Sequence, residues 1–226
     1  LNFSHLLLVI GRGATGLKNL NISASNETEA ATGRTAMSVD PRPLTLAEFL
    51  AWEERQQAKH EFRNGAVFAM AGATDDHGQI VTNLISIIRP VLRGSTCRAY
   101  ANDIKVVTTY PGSRYPDILV TCDRRDAADR LIKRHPKLII EVLSAGTAAV
   151  DANEKLDEYQ TIGELEEYVL VDSRRVSVRV YRRNGDKLET GPATISGAIE
   201  IRSLGLSISL ADIYEDVAFE RLPNQV

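Results

Sequence analysis

The chain is short of the residues that build crosslinked or metal-stapled folds. It has two cysteines, Cys97 and Cys122, and four histidines in 226 residues. No Cys/His spacing matches a structural zinc site, which excludes a zinc-finger class. A single pair of cysteines also provides no disulfide framework, and reduced, buried thiols of a cytoplasmic protein are the expectation for both. Long apolar runs are lacking as well. Leu6-Leu7-Leu8-Val9-Ile10 falls far short of the roughly 20 residues that span a bilayer. No basic residue precedes it and no clear cleavage region follows, so neither a membrane helix nor a signal peptide is expected. Excess basic charge is absent too: the net charge is -3. A general cationic coat for nucleic acid is thereby excluded, and any such binding must rest on local basic patches.

What remains is ordinary globular composition, with 43% hydrophobic and 25% charged residues. The length suffices for one domain with a sizeable core. Residues 1–36 differ from the rest: Asn19 to Thr35 is small and polar, and the first methionine is Met37. The expectation is a disordered tail or over-extended start over 1–36 and a single domain over 37–226.

Local signals give the elements. Thr45-Leu46-Ala47-Glu48 fits a capping box opening a helix, whose apolar face runs through about Lys59. Asn64-Gly65 between apolar-rich runs predicts a tight hairpin. Ile80, Val81, Leu84, Ile87, Ile88 and Val91 recur at helical spacing and predict a buried helix from about Asp76 to Leu92. Residues 97–108 read as one strand. Val176, Val178 and Val180 alternate with polar residues, as in an antiparallel strand. Residues 195–210 suggest a terminal strand pair, followed by a helical turn at Ala211-Asp212-Ile213-Tyr214.

The chemistry concentrates between Arg114 and Asp172. Ile118-Leu119-Val120 and Leu138-Ile139-Ile140 read as strands covered on both faces, and each run carries a carboxylate, Asp117 or Glu141. An ionised carboxylate in such a run needs a partner, because an unpaired buried charge costs several kcal/mol, on the order of 3–5. A metal ion or a lysine is the natural choice. Lys155 follows on a helix that Asp151-x-x-Glu154 would open. Hard divalent cations prefer carboxylate oxygens, so Asp117 and Glu141 are candidate metal ligands and the Val142 carbonyl a third. A lysine beside them can orient the attacking water or stabilise charge on a phosphate. Glu61, between a helix and the hairpin, is a further candidate, and His77 a weaker one. Each residue also has a structural reading: Asp117 as a turn cap after Pro116, Lys155 as a partner of Asp151, Asp151 as a helix cap. Arg174-Arg175 and Arg182-Arg183 read as solvated strand ends that grip phosphates if they share a face with the site.

Tyr115-Pro116-Asp117 followed by Ile139-Ile140-Glu141-Val142-Leu143-Ser144 resembles the PD-(D/E)XK nuclease superfamily. With His60-Glu61-Phe62-Arg63-Asn64-Gly65, His77-Gly78-Gln79-Ile80, Asp151 to Tyr159, Glu167 to Asp172 and Leu204 to Tyr214, the chain resembles the Uma-type family of bacterial restriction endonucleases over nearly everything after Met37. The superfamily pattern places lysine two residues after the glutamate, where this chain has Leu143. The resemblance assigns that role to Lys155 on the following helix. It implies an α/β restriction-endonuclease-like fold, a central mixed β-sheet flanked by helices. It also implies a magnesium or manganese cofactor, DNA as partner, endonuclease activity and a homodimer. A second reading is a catalytically weak or inactive nucleic-acid-binding or interaction module that retains the fold, favoured by the acidic net charge and the displaced lysine.

Overall fold

The computed structural model describes residues 43–70, 72–144 and 154–219, with the backbone of a two-residue strand at Leu7–Leu8. That strand, β1, pairs antiparallel with β3 (Ala66–Ala69), Leu7 facing Phe68. The other residues before 43 lie outside the described set.

The Thr45 capping box forms as its sequence predicts and opens α1 (Leu46–Glu53). The helix stops six residues before Lys59. The buried Glu53 carboxylate accepts from the His60 backbone amide and the Tyr115 hydroxyl, so the chain turns there into β2 (His60–Arg63). Asn64 and Gly65 then take positive φ, 47° and 84°, and close the β2–β3 hairpin with Arg63 facing Ala66. A Cβ at residue 65 would lie 2.2 Å from the Pro43 Cβ, so close approach also requires glycine there.

The long helix α2 spans Asp75–Val91 and buries Ile80, Val81, Leu84 and Ile88. The region read as one strand is two, β4 (Arg98–Ala101) and β5 (Lys105–Thr108), in different sheets. Asn102 breaks it with φ 60°, and its amide donates to the Asp117 carbonyl. Asparagine tolerates this left-handed conformation, so one residue redirects the chain.

After β6 (Gly112–Arg114) come β7 (Ile118–Thr121), the short β8 (Ile132–Lys133), β9 (Pro136–Leu143), α3 (Leu156–Tyr159) and β10 (Glu167–Asp172). β11 (Val178–Asn184), β12 (Lys187–Thr190), β13 (Ala198–Ile201), β14 (Leu206–Ser209) and α4 (Leu210–Ile213) complete the chain. The site is built on a six-stranded mixed sheet of order β12-β11-β10-β9-β7-β4. β9 and β10 run parallel, and the neighbouring pairs are antiparallel. A second six-stranded sheet has order β1-β3-β2-β6-β5-β8, and β13–β14 form a separate ribbon.

The unbroken Ile/Leu/Val runs of β7, β9 and β10 follow from cover on both faces. Ile118, Val120, Leu138, Ile140, Val169 and Val171 pack with the apolar stripe of α2. Leu119, Ile139, Tyr168 and Leu170 pack with Tyr159, Ile162 and Leu165 on the opposite face. Glu141 projects from this second face. No helix among the described residues is long and apolar enough to cross a membrane.

The cysteines depart from the expectation of reduced thiols: Cys97 and Cys122 form a disulfide. Antiparallel pairing of Arg98 with Thr121 sets the two cysteines side by side, although 25 residues separate them in sequence. Closing a loop of that length stabilises a fold by about 2–4 kcal/mol in the chain-entropy account. Reductant, or the double substitution Cys97→Ser/Cys122→Ser, is therefore expected to lower the unfolding free energy by about that amount in urea titration. An unchanged midpoint would show that the bond contributes nothing.

Candidate active site

Asp117 immediately precedes β7, and Glu141 lies in β9. Ile118 faces Ile140, so the next step of the antiparallel ladder brings Asp117 beside Glu141 at the sheet's edge of regular pairing. The Asp117 carboxylate reaches across: its Oδ2 accepts from the Val142 amide at 2.7 Å and lies 3.2 Å from His77 Nε2 at the start of α2. Among the described residues, no hydrogen bond or ion pair is made to Asp117 Oδ1, which leaves an oxygen for a ligand.

Glu141 is buried, and its Oε1 accepts from the Tyr159 hydroxyl at 2.9 Å. The Lys155 Nζ stands 3.1 Å from the same oxygen and 3.9 Å from Glu61 Oε1. Lys155, Glu158 and Tyr159 face the same way because they are spaced i, i+3, i+4 along one helical turn. Burial, with the Glu141 charge next, pushes the Tyr159 hydroxyl well above its ordinary pKa. It therefore stays protonated and donates to Glu141 across the physiological range.

Glu61, Arg114 and Glu158 extend this cluster. Arg114 grips Glu158 with Nε at 2.8 Å and Nη2 at 2.7 Å, and Glu61 with Nη1 at 2.7 Å. The Tyr115 amide donates to Glu61 Oε1 at 3.3 Å. Burial alone would raise the Glu61 pKa, but the Lys155 and Arg114 charges outweigh it and hold the carboxyl below its ordinary value. Burial likewise opposes the Arg114 charge, and Glu158 with Glu61 more than restores it, raising the guanidinium pKa. The result is a buried, alternating network of carboxylates and cations.

The structure thus brings Glu61, Glu141 and Lys155 within ion-pair range, and places Asp117 with Val142 next to them through the strand register. Asp151 lies outside the described residues. Arg114, Glu158 and Tyr159 received no role from the sequence. The helical spacing of 158 and 159 from Lys155 was a signal for two of them. Arg114 had none, since its partner is 44 residues away.

A second group of ligand-type side chains, Asp123, His135 and Glu164, has its ligand atoms within 4.8 Å of one another. It lies past the far end of β7 from Asp117. Arg125 donates to both Asp123 and Glu164, so a resident guanidinium already supplies the positive charge there.

The Uma2 family model, described as "Putative restriction endonuclease", matches residues 46–211. The chain belongs to the Uma2 family. The match takes in both carboxylate strands, α2 and Lys155. An uncharacterized protein of Synechocystis sp. is 35% identical over 179 residues, spanning 78% of this chain and 94% of that protein. A second uncharacterized Synechocystis protein is 31% identical over 147 residues, spanning 64% of this chain and 83% of its own length. Among solved structures, a protein from Anabaena variabilis described as "a putative nuclease belonging to DUF820" superposes with TM-score 0.64 at 22% identity, covering 76% of this chain and 98% of that one. The shared fold is restriction-endonuclease-like: a mixed sheet flanked by helices, as the resemblance implied. Family and fold together make this Uma2 chain a nuclease-family protein.

Proposed function

We propose that this Uma2 protein is a metal-dependent endonuclease that hydrolyses phosphodiester bonds of DNA, with Asp117, Glu141 and Lys155 in direct roles and Glu61 supporting the lysine. The observation that carries the reading is the convergence of Lys155 on Glu141, at 3.1 Å, from a different element. A lysine displaced from the strand to the helix still reaches the carboxylate beside which the superfamily pattern places it.

The donor set suits a hard divalent cation such as magnesium or manganese. Two carboxylates stand at neighbouring strand positions, and Asp117 Oδ1 accepts nothing from the described protein. Asp117, Glu141 and the Val142 carbonyl would hold the ion, which when bound supplies an activated water and charge neutralisation. The chain's own groups do the rest. The Val142 amide and His77 fix the Asp117 carboxylate through Oδ2. The Tyr159 hydroxyl and Lys155 fix Glu141. Lys155 places a positive charge where the phosphate gains negative charge, an interaction worth most when water is excluded. Glu61, held ionised by its cations, sets a second negative charge 3.9 Å from that ammonium. A homodimer would bring two such sites to the two strands of a duplex.

Purified protein is expected to nick supercoiled plasmid with magnesium or manganese and to stop when chelator is added. Glu141→Gln is expected to lower the rate at least about a hundredfold while circular dichroism remains native. Absence of cleavage with either metal would overturn the nuclease reading. DNA binding retained without cleavage would then favour the alternative, a nucleic-acid-binding module that keeps the fold.

A further inference from the structure

The arginines near the end of the main sheet fall into two groups. Arg182 donates to Glu167 and to the Glu200 carbonyl. Arg183 donates to the carbonyls of Leu165, Gln160, Ile162 and Asp186. Both guanidinium groups are engaged within the fold. Arg174 and Arg175 differ: their side chains are 49% and 75% exposed and share one buried carboxylate, Asp172. Arg179, on β11, is exposed, and its guanidinium makes no hydrogen bond or ion pair with any described residue. These three arginines and Ser177 line an open groove of about 210 Å³ whose apolar base includes Leu143 and Leu170.

The register ties this groove to Glu141. Glu141 faces Leu170 on β10, and Leu170 faces Arg179 on β11. The three residues form one cross-strand row, and side chains in a row leave the same face of the sheet. Strands lie roughly 4.8 Å apart, so the Arg179 backbone is about 10 Å from that of Glu141. The next row on that face carries Leu143 and Asp172 at the carboxyl ends of the parallel pair, where sheets with parallel strands characteristically present ligands.

We propose that Arg174, Arg175 and Arg179 form a phosphate-binding subsite that grips the DNA backbone beside the phosphodiester presented to Glu141. The proposal rests on the nuclease reading for the identity of its substrate. Guanidinium groups match phosphate oxygens bidentately and are not neutralised at any working pH. The Arg179 backbone stands about 10 Å from that of Glu141, which puts its long side chain within reach of a phosphate close along the strand from the reacting one. Asp172 holds Arg174 and Arg175 in place, with Nε of each at 3.1 and 3.0 Å. One carboxylate against three guanidinium groups leaves the groove positive on a protein whose net charge is -3. Such a local patch is what an acidic protein needs to hold a polyanion.

The test uses the full chain carrying Glu141→Gln, assayed with chelator so that no metal-dependent cleavage intervenes, and a fluorescein-labelled DNA duplex read by anisotropy from 50 to 200 mM salt. Arg179→Ala is expected to reduce the slope of log affinity against log salt by about 1 and to weaken binding roughly tenfold. Arg179 has no partner within the described fold to lose, so this variant is expected to remain folded. Arg179→Lys should keep the slope, and Arg174→Ala/Arg175→Ala should lower it by about 2. Arg89→Ala, exposed in the last turn of α2, should change nothing. An unchanged slope in Arg179→Ala, an equal loss in Arg89→Ala, or no DNA binding by the parent protein would overturn the subsite. Plasmid cleavage by the Glu141-containing protein separates the two readings. Cleavage with an unchanged Arg179→Ala slope sinks the subsite alone. Arg179-dependent binding without cleavage supports the subsite and sinks the nuclease.

Discussion

Arg114→Met is expected to lower the unfolding free energy by about 3–5 kcal/mol at pH 7, among the largest losses for a single substitution here. Arg114 is buried and serves two buried or nearly buried carboxylates. Its removal leaves Glu158, 2% exposed, with only the Arg63 Nε at 3.4 Å as a cation in reach among the described residues. Breaking a buried pair from one side is costly because the remaining charge has lost both water and partner. The loss must depend on pH in a definite direction. The folded Glu61 pKa lies below its ordinary 4.5. Its contribution is therefore present above about pH 4.5 and disappears as pH falls through the lower, folded value. Much of that contribution comes from Arg114, so the gap between wild type and Arg114→Met should be widest near neutrality and should narrow in acid. Urea titrations at pH 7 and pH 4 measure it. A loss below about 1 kcal/mol, or a gap that does not narrow, would mean the network is no more than a weak surface-type pairing. Arg114→Lys should fall between, since it keeps the charge and loses the two-pronged grip on Glu158.

The parts of this fold that were legible from sequence are those set by local chemistry. Thr45 with Glu48, and Asn64 with Gly65, each specify their own geometry within four residues. The runs around Ile118 and Ile140 announced strands covered on both faces, and a carboxylate inside each run stood out because burial makes it expensive. Those two anomalies mark the strand positions of Asp117 and Glu141, and the counter-charge that a buried carboxylate requires stands at Lys155, 3.1 Å from Glu141. What escaped was non-local. Arg114 reads as an ordinary strand arginine until the fold sets it against Glu158 and Glu61. The break at Asn102 depends on a left-handed residue that nothing in the run 97–108 demands. The bond between Cys97 and Cys122 depends on two strands pairing in one register. Arg179 likewise looks like the polar half of an alternating strand. Only the rows running Glu141–Leu170–Arg179 show that its side chain leaves the sheet on the same face as the site.

Lys155→Met separates catalysis from stability, because its ammonium is 3.1 Å from Glu141 and 3.9 Å from Glu61. If the lysine only neutralised buried carboxylates, the substitution would cost about 3–5 kcal/mol of stability while folded molecules kept nearly full activity. If it also meets the charge that develops on phosphate, each folded molecule should lose a further factor of about 10²–10³ in rate. The two losses are read separately: stability by urea titration, and rate by single-turnover plasmid cleavage at a temperature where the variant is folded. A double-mutant cycle isolates the pair. Glu141→Gln keeps an acceptor for the Tyr159 hydroxyl and removes the charge that Lys155 balances. Lys155→Met/Glu141→Gln should therefore be more stable than the sum of the single losses predicts, by about 1–3 kcal/mol. Additive stability losses would show that the two side chains do not interact across their 3.1 Å. A per-molecule rate within about tenfold of wild type in Lys155→Met, against the factor expected for a charge facing the transition state, would confine the lysine to a structural role. The chemistry would then rest on the carboxylates alone.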